Sequence, residues 1–500
     1  MKRILRAVVL VGLSSVAVVL LGAVRHKLIA VGVGADGIGT LGILTSIVNL
    51  GVVIFSLGLN TSGIQAIAAA VDDPSLFPRV RAALLRGSGW LGAVGVATVI
   101  AGGLLWGLVS GGEGPGLLII LALGLTVGAM VVSGAQLAML NGIGRIRALA
   151  ICNSLGAAIG TGATALCLGV SDDIALVAAL AAAPVATAAC TSWFVYRSRE
   201  PQKARVGFRL WRSEFRGMAT LGGMVMVGLL VTNGAQLVVR LWIESRHGLA
   251  AAGHFQASWT ITTLYVGFVL TALAAEYFPR ISGEASQTRS LNRSVDMQIR
   301  IALLLAGPVL LIMIVLAPIV LNVLYSPEFL SAVPLLRWQL VGDVMKIVGW
   351  AIAFLLLARR ARLSFLIGEL CFNAVYLIGV FLLPSTSALE GVGIAYMLAY
   401  TVYVGVLVLL AYKESRFRMS GGSWLITGGL FATAFGVRAA AQEGSPLGIA
   451  LAASLTAGVT IGALLLLLQA RRREKQEAEA HIAAEEVVDR ARPEGTEKAT

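Results

Sequence analysis

Fourteen stretches of about twenty apolar residues, spaced along the whole chain with short polar joints, leave few folds open. They cover roughly 7–24, 38–59, 88–110, 116–140, 148–170, 174–196, 218–242, 252–275, 298–322, 334–357, 363–383, 391–411, 422–440 and 447–469. About twenty such residues in a helix cross the hydrocarbon layer of a bilayer, and a helix satisfies its own backbone there. Alternation at period 2 is absent over any useful length, which argues against an outer-membrane barrel. Charged residues make up 13% of the chain, against roughly 25% in soluble domains. That is too little polar surface to coat the cores of 500 soluble residues. The expected class is an all-α, polytopic integral membrane protein with about fourteen transmembrane helices.

The formal net charge of +13 would point to nucleic acid in a soluble protein. Here the cations sit between apolar runs, so they orient the chain instead. With the N-terminus inside, 32 of the 39 Lys and Arg fall on inside segments, and the outside joints carry acids such as Asp36, Glu113, Asp172, Glu328, Glu390 and Glu443. Both termini are therefore expected on the cytoplasmic side. Lys2, Arg3 and Arg6 precede the first run, but Arg25-His26-Lys27 follows it rather than a small-x-small cleavage site, so the run is expected to be retained. The basic stretch 197–217 reads as a cytoplasmic linker between two six-helix lobes, 1–196 and 218–415. Two further helices (416–470) and a charged tail (471–500) complete the chain, the tail a solvated helix or a disordered segment.

The four cysteines form no C-x-x-C pair and the four histidines are scattered, so neither a disulfide framework nor a metal site is expected. No P-loop sequence occurs, which excludes that route to nucleotide hydrolysis. A polytopic polysaccharide polymerase or lipid–sugar transferase would need a large outside loop or an acidic inside motif. Neither is present, so the chain is expected not to be an enzyme.

Shifting the sequence by 214 residues lays VGVGADGIGTLGILTSIVNL over SRHGLAAAGHFQASWTITTL, with Gly34 on Gly248, Gly39 on Gly253 and Ser46 on Thr260. Repeated halves with a site between them are common in secondary transporters. Four runs also carry polar stripes at helical spacing: Ser46, Asn49, Ser56 and Asn60; Asn233, Gln236 and Arg240; Gln256, Thr260, Thr263 and Thr271; Gln339, Asp343, Lys346 and Trp350. Polar faces in a bilayer must look into the bundle or a wet cavity. Two readings of them stay open, packing glue between helices and a lined transport path. Arg240 and Arg337, near the outer ends of their runs, either snorkel to headgroups or face a site. Asp343 and Lys346 lie one turn apart mid-run, as a structural pair or a gate, with Glu369 a further candidate partner for Lys346.

The segment WQLVGDVMKIVGWAIAFLLLARRARLSFLIGEL (338–370) resembles the W-Q-L-x-G-D-x-x-K stretch of O-antigen translocases. GADGIGTLGILTSI with SLGLNTSGIQAIAAA, GHFQASWTITTLY with YFPRIS, and LEGVGIAYMLAYTVY are similar to other parts of these lipid-linked O-antigen and oligosaccharide flippases. They belong to the multidrug/oligosaccharidyl-lipid/polysaccharide (MOP) exporter superfamily. The resemblance covers about residues 1–415. LLGAVRHKLIAVGVG also resembles the Leu-Gly-x-x-Arg stretch of lipid II flippases, which maps their cavity arginine onto Arg25. Two departures stand out: the added helices at 422–469, and Thr260, Thr262 and Thr263 in place of aromatic and acidic residues.

The resemblance implies two pseudo-symmetric lobes around a central cavity. It implies transport of an undecaprenyl-pyrophosphate-linked oligosaccharide between leaflets of a bacterial cytoplasmic membrane, by alternating access. A diphosphate calls for cations, among which Arg suits bidentate contacts; Arg25, Lys27, Arg240, Arg337 and Lys346 are available. Asn49, Asn60, Asn233, Gln236, Gln256 and Gln339 are the candidates for the sugar. Asp343 and Glu369 are the candidates for coupling or gating. No cofactor is expected beyond a proton or sodium gradient; the partners implied are the lipid-linked substrate, membrane lipids and other polysaccharide-assembly membrane proteins, not nucleic acid. The alternatives on the same fold are a multidrug or a lipid II exporter.

Overall fold

A computed structural model describes residues 2–111, 115–197, 208–383, 389–442 and 444–490. Glu113, Glu443, residues 198–207 of the proposed linker and the end of the tail (491–500) lie outside the described residues. Residues 208–217 of that linker form the first turns of the helix Phe208–His247 rather than a loop. Among the described residues every regular element is a helix. The first half holds α1 (Lys2–Gly32), α2 (Gly34–Ser56), α3 (Leu59–Ala70), α4 (Phe77–Val109), α5 (Leu117–Gly142), α6 (Ile146–Cys167) and α7 (Asp172–Arg197). The second half holds α8 (Phe208–His247), α9 (Leu249–Gly283), α10 (Thr288–Leu324), α11 (Val333–Ala358), α12 (Arg362–Leu382) and α13 (Glu390–Ser415), then α14 (Gly421–Gln442) and α15 (Pro446–Arg490). Thirteen of these are long and apolar enough to cross a membrane, and α9, with 35 residues, stands at the place of the eighth expected run. The protein is thus a multi-pass, all-α membrane protein.

Local sequence explains the boundaries. Pro78 and Pro334 sit in the first turns of α4 and α11, where the missing N–H is not needed. Asp172 and Asp173 open α7 and favour its N-terminal dipole. Two boundaries differ from the sequence expectation. The first helix runs on to Gly32, because nothing in RHKLIAVG breaks a helix, and so Arg25 and Lys27 lie within it rather than in a loop. The second breaks at Leu57 and Gly58, φ +48 and +70, and the chain resumes as the short α3. The tail up to Arg490 continues α15 as helix.

Helices α4 to α7 pack on one another and α1 on α6; α10 to α13 pack likewise, with α14 and α15 laid against α10. Between the halves, α2 meets α8 and α9. The α2–α9 crossing bears directly on the sequence repeat. Gly34 and Gly248, 214 residues apart, open the two helices with φ +80 and +85, a conformation that favours glycine. Five residues on, a Cβ at Gly39 would run into the Leu249 carbonyl and stand 3.0 Å from the Gly253 nitrogen; a Cβ at Gly253 would run into the Ala35 carbonyl and stand 3.1 Å from the Gly39 nitrogen. Ala35 and Leu249 are also 214 apart. The contact therefore maps onto itself when the halves are exchanged, and a local two-fold passes between the glycines.

That crossing has no room for side chains. Gly253→Val is expected to lower the thermal midpoint in detergent by several degrees, since overpacking costs about 1–3 kcal/mol. Gly228→Ala on α8, where nothing lies within 4 Å, should leave it unchanged or slightly higher. Equal midpoints for the two variants would contradict the close crossing.

Candidate functional site

A cavity of about 790 Å³ opens inside the first half, lined by α1, α2, α3, α5, α6 and α7 and closed on the far side by Gln256 and Thr260 of α9. Its walls carry Arg25 and His26 on α1, Thr45 and Asn49 on α2, Asn60 on α3, Asn153 and Thr161 on α6, and Thr187 on α7. No Asp or Glu is among its described lining residues. The lining mixes apolar side chains with these polar ones and is cationic at one place. Arg25 is half-buried, and its Nε is buried without a hydrogen-bond partner; the Oδ1 of Asn60 is likewise unpartnered. Unmet polar atoms in a cavity wall are costly unless something fills the space.

Of the residues anticipated from sequence, the cavity gathers Arg25, Asn49, Asn60 and Gln256. Arg240 stands one layer behind. Its Nε donates to Gln256 Oε1 (2.9 Å), and its Nη1 donates to the backbone and side-chain oxygens of Gln236 (3.0 and 3.1 Å). Its guanidinium lies 5.2 Å from the Phe255 ring centroid and is only 5% exposed. It is buried rather than snorkelling. Gln256 Nε2 in turn donates to Thr260 (3.2 Å), so Arg240 reaches the cavity through a polar relay.

The remaining candidates are elsewhere. Lys27 donates to the Asn322 carbonyl (3.0 Å) at the end of α10. Arg337 donates to the carbonyls of Ile314 (3.1 Å) and Ala441 (3.0 Å), tying α11 to α10 and α14. Asn233 donates to the Leu229 carbonyl (2.8 Å) one turn back. Gln339 accepts the Ser258 hydroxyl and joins α11 to α9.

Asp343, Lys346 and Glu369 belong to a second polar cluster in the other half. Asp343 is fully buried; its Oδ1 accepts the Tyr396 hydroxyl (2.7 Å) and lies 3.6 Å from Lys346 Nζ. Lys346 donates to Tyr396 (3.2 Å) and stands 5.7 Å from the Tyr400 ring centroid. Glu369 accepts from Tyr403 (3.0 Å). Lys346 is thus paired with Asp343, while Glu369 has its own partner. The aromatic partners came from α13, whose residues had no polar stripe to mark them. His26 and Asn153 were also unanticipated as lining residues. His26 carried a signal, for it lies 214 residues before Arg240 and so occupies the equivalent place in the repeat.

No family model matches the chain. Over 170 residues it is 24% identical to the lipid III flippases of Escherichia coli (strain K12) and Shigella flexneri, a match covering 34% of this chain and 40% of each relative. The chain thus spans less than half the length of these curated relatives. Its fold is similar to that of the lipid II flippase MurJ in an inward closed conformation (TM-score 0.68, 13% identity, 92% of this chain and 99% of that one). It is also similar to an inward-facing multidrug resistance MATE family transporter of the MOP superfamily (TM-score 0.66, 16% identity, 82% and 99%). A MOP superfamily transporter from Pyrococcus furiosus Vc1 aligns with TM-score 0.57 at 16% identity (81% and 95%). The chain thus shares its fold with these solved structures.

Proposed function

We propose that the protein is a flippase that moves an undecaprenyl-pyrophosphate-linked oligosaccharide from the inner to the outer leaflet of a bacterial cytoplasmic membrane. The observation that carries this reading is the cavity: apolar walls set with Asn, Thr and Gln side chains, no carboxylate among the described lining residues, and Arg25 with an unmet donor. A lipid diphosphate supplies the acceptor oxygens that such a guanidinium takes. Asn49, Asn60, Asn153 and Gln256 offer donors and acceptors to sugar hydroxyls, with Arg240 supporting Gln256 from behind. The partial likeness to lipid III flippases and the fold shared with a lipid II flippase support a lipid-linked precursor as cargo. The MATE-like fold favours a multidrug exporter as the second reading, yet a wall with Arg25 and no carboxylate repels cationic drugs.

In this reading the lobes 1–196 and 218–415 rock about the α2–α9 crossing, driven by a proton or sodium gradient, with Asp343 and Glu369 as the coupling or gating groups. The test is transport of a defined lipid-linked oligosaccharide in proteoliposomes, with each gradient in turn. Efflux of cationic dyes without lipid transport would replace this reading by the second.

Both ends of the chain face the cytoplasm in this arrangement. In a cysteine-free background, Ser445→Cys should be labelled by an impermeant maleimide from outside and Ser286→Cys only after permeabilisation. Outside labelling of both would break the topology.

A further inference from the structure

We propose that His26 is a proton-binding group of the transport cavity, taking up a proton when an anionic lipid diphosphate enters and returning it when the lipid leaves. The inference rests on the flippase reading and adds a titrating residue to the same cavity.

His26 lines the cavity beside Arg25. Its Nδ1 is 2.8 Å from the Gly22 carbonyl. A carbonyl can only accept, so Nδ1 carries the hydrogen and donates. The neutral ring then has a lone pair at Nε2 and nowhere else to add a proton. Neutral His26 can accept from a sugar hydroxyl but has nothing further to give an anion. Protonated at Nε2, it presents a second charged donor next to the Arg25 fork.

The surroundings single out this group. Arg25 is the charge on its own helix face, and Tyr325, at the end of α10, has its ring centroid 6.3 Å away. Among the described residues, the cavity faces of α2, α3, α5, α6, α7 and α9 contribute no titratable side chain. No wall carboxylate is therefore at hand to neutralise an imidazolium, and the charge that can do so comes with the cargo. Binding of the anion and of the proton then support each other, and linkage makes the effect reciprocal. The repeat gives an independent pointer. The residue 214 positions on from His26 is Arg240, a buried and permanent cation that reaches the cavity through Gln256. The two halves thus place a fixed and a titratable cation at equivalent positions. The proton is taken from the inner side, held at Nε2 and released with the lipid on the outer side, and no bond in the lipid changes. It compensates the cargo's charge and moves outward, so it does not supply the driving force, which stays with inward ion movement at Asp343 and Glu369.

The probe is undecaprenyl diphosphate carrying one N-acetylglucosamine, a diester whose own charge is constant between pH 5.5 and 8. Binding to the full-length protein in nanodiscs is measured across that range, and proton uptake on binding is followed with an indicator dye in weak buffer. Wild-type affinity should fall as pH rises, by up to about tenfold per unit where one proton is linked, with uptake of up to one proton. His26→Gln, close in size and always neutral, should bind weakly with a flat profile and no uptake from this site. His26→Arg, the residue of the equivalent position, should bind tightly with a flat profile. Equal pH slopes and equal uptake in wild type and His26→Gln would overturn the inference while leaving the flippase reading in place. No binding by wild type at any pH would remove both.

Discussion

Arg25→Ala is expected to retain almost no flipping of lipid-linked oligosaccharide at matched membrane expression, and Arg25→Lys a measurable part of it. Arg25 is the one arginine among the cavity-lining residues, and its Nε has no partner. Charge-assisted bonds to phosphate are roughly twice as strong as neutral ones, and their loss in a partly desolvated site falls directly on substrate affinity. Lysine keeps the charge but gives up the planar fork that spans two phosphate oxygens. Because among the described residues no carbonyl or carboxylate holds the Arg25 Nε as Ile314 and Ala441 hold Arg337, its removal should cost little stability. A transport assay paired with a thermal midpoint makes the distinction. Near wild-type flipping by Arg25→Ala would remove it from the site, and a midpoint loss equal to that of Arg337→Ala would make it a structural residue.

The second large effect concerns Asp343 and Lys346. Asp343→Asn and Lys346→Gln are each expected to impair transport and membrane abundance more than the double variant. The pair is 3.6 Å apart and the carboxylate is fully buried, and stranding one charge of a buried pair costs about 3–5 kcal/mol. Removing both leaves Tyr396 with a neutral partner for its hydroxyl and no unbalanced charge. Tyr396→Phe takes away the hydrogen bonds to both and should reproduce a milder form of the single defects. A double-mutant cycle on abundance and on transport measures the coupling. Simple additivity of the two defects would show that the groups act separately.

Much of this architecture was legible in the chain. Apolar runs of bilayer length set the all-α class and the helix order, because lipid leaves a spanning chain no other way to satisfy its backbone. The 214-residue echo, thin as a pattern of matches, pointed to the glycines that meet at the α2–α9 crossing, since only glycine lets two backbones come that close. Of the polar stripe on α2, Asn49 lines the cavity, whereas Ser46 bonds back to the Gly42 carbonyl and Ser56 is not among the described lining residues. Helical spacing could not say which polar faces share one space. Gln236, Gln339 and Asn233 obey the same periodicity as Gln256, yet only Gln256 reaches the cavity; the others spend their bonds on Arg240, Ser258 and a neighbouring turn.

The cations divide in the same way. The resemblance to lipid flippases put five forward, and each can satisfy itself locally or face open space. Only packing decides between these. Arg337 finds carbonyls on two neighbouring helices, Lys27 finds the end of α10, and Lys346 finds Asp343 and Tyr396. Arg25 faces the cavity because α1 continues as a helix past the expected end of its apolar run, to Gly32. That same continuation brings His26 to the wall, one residue beyond. The sequence by itself determined the kind of molecule, because solvation by lipid acts on every residue locally. Which side chains share the cavity was decided by tertiary structure, because a helix face acquires its environment only from the helices packed against it.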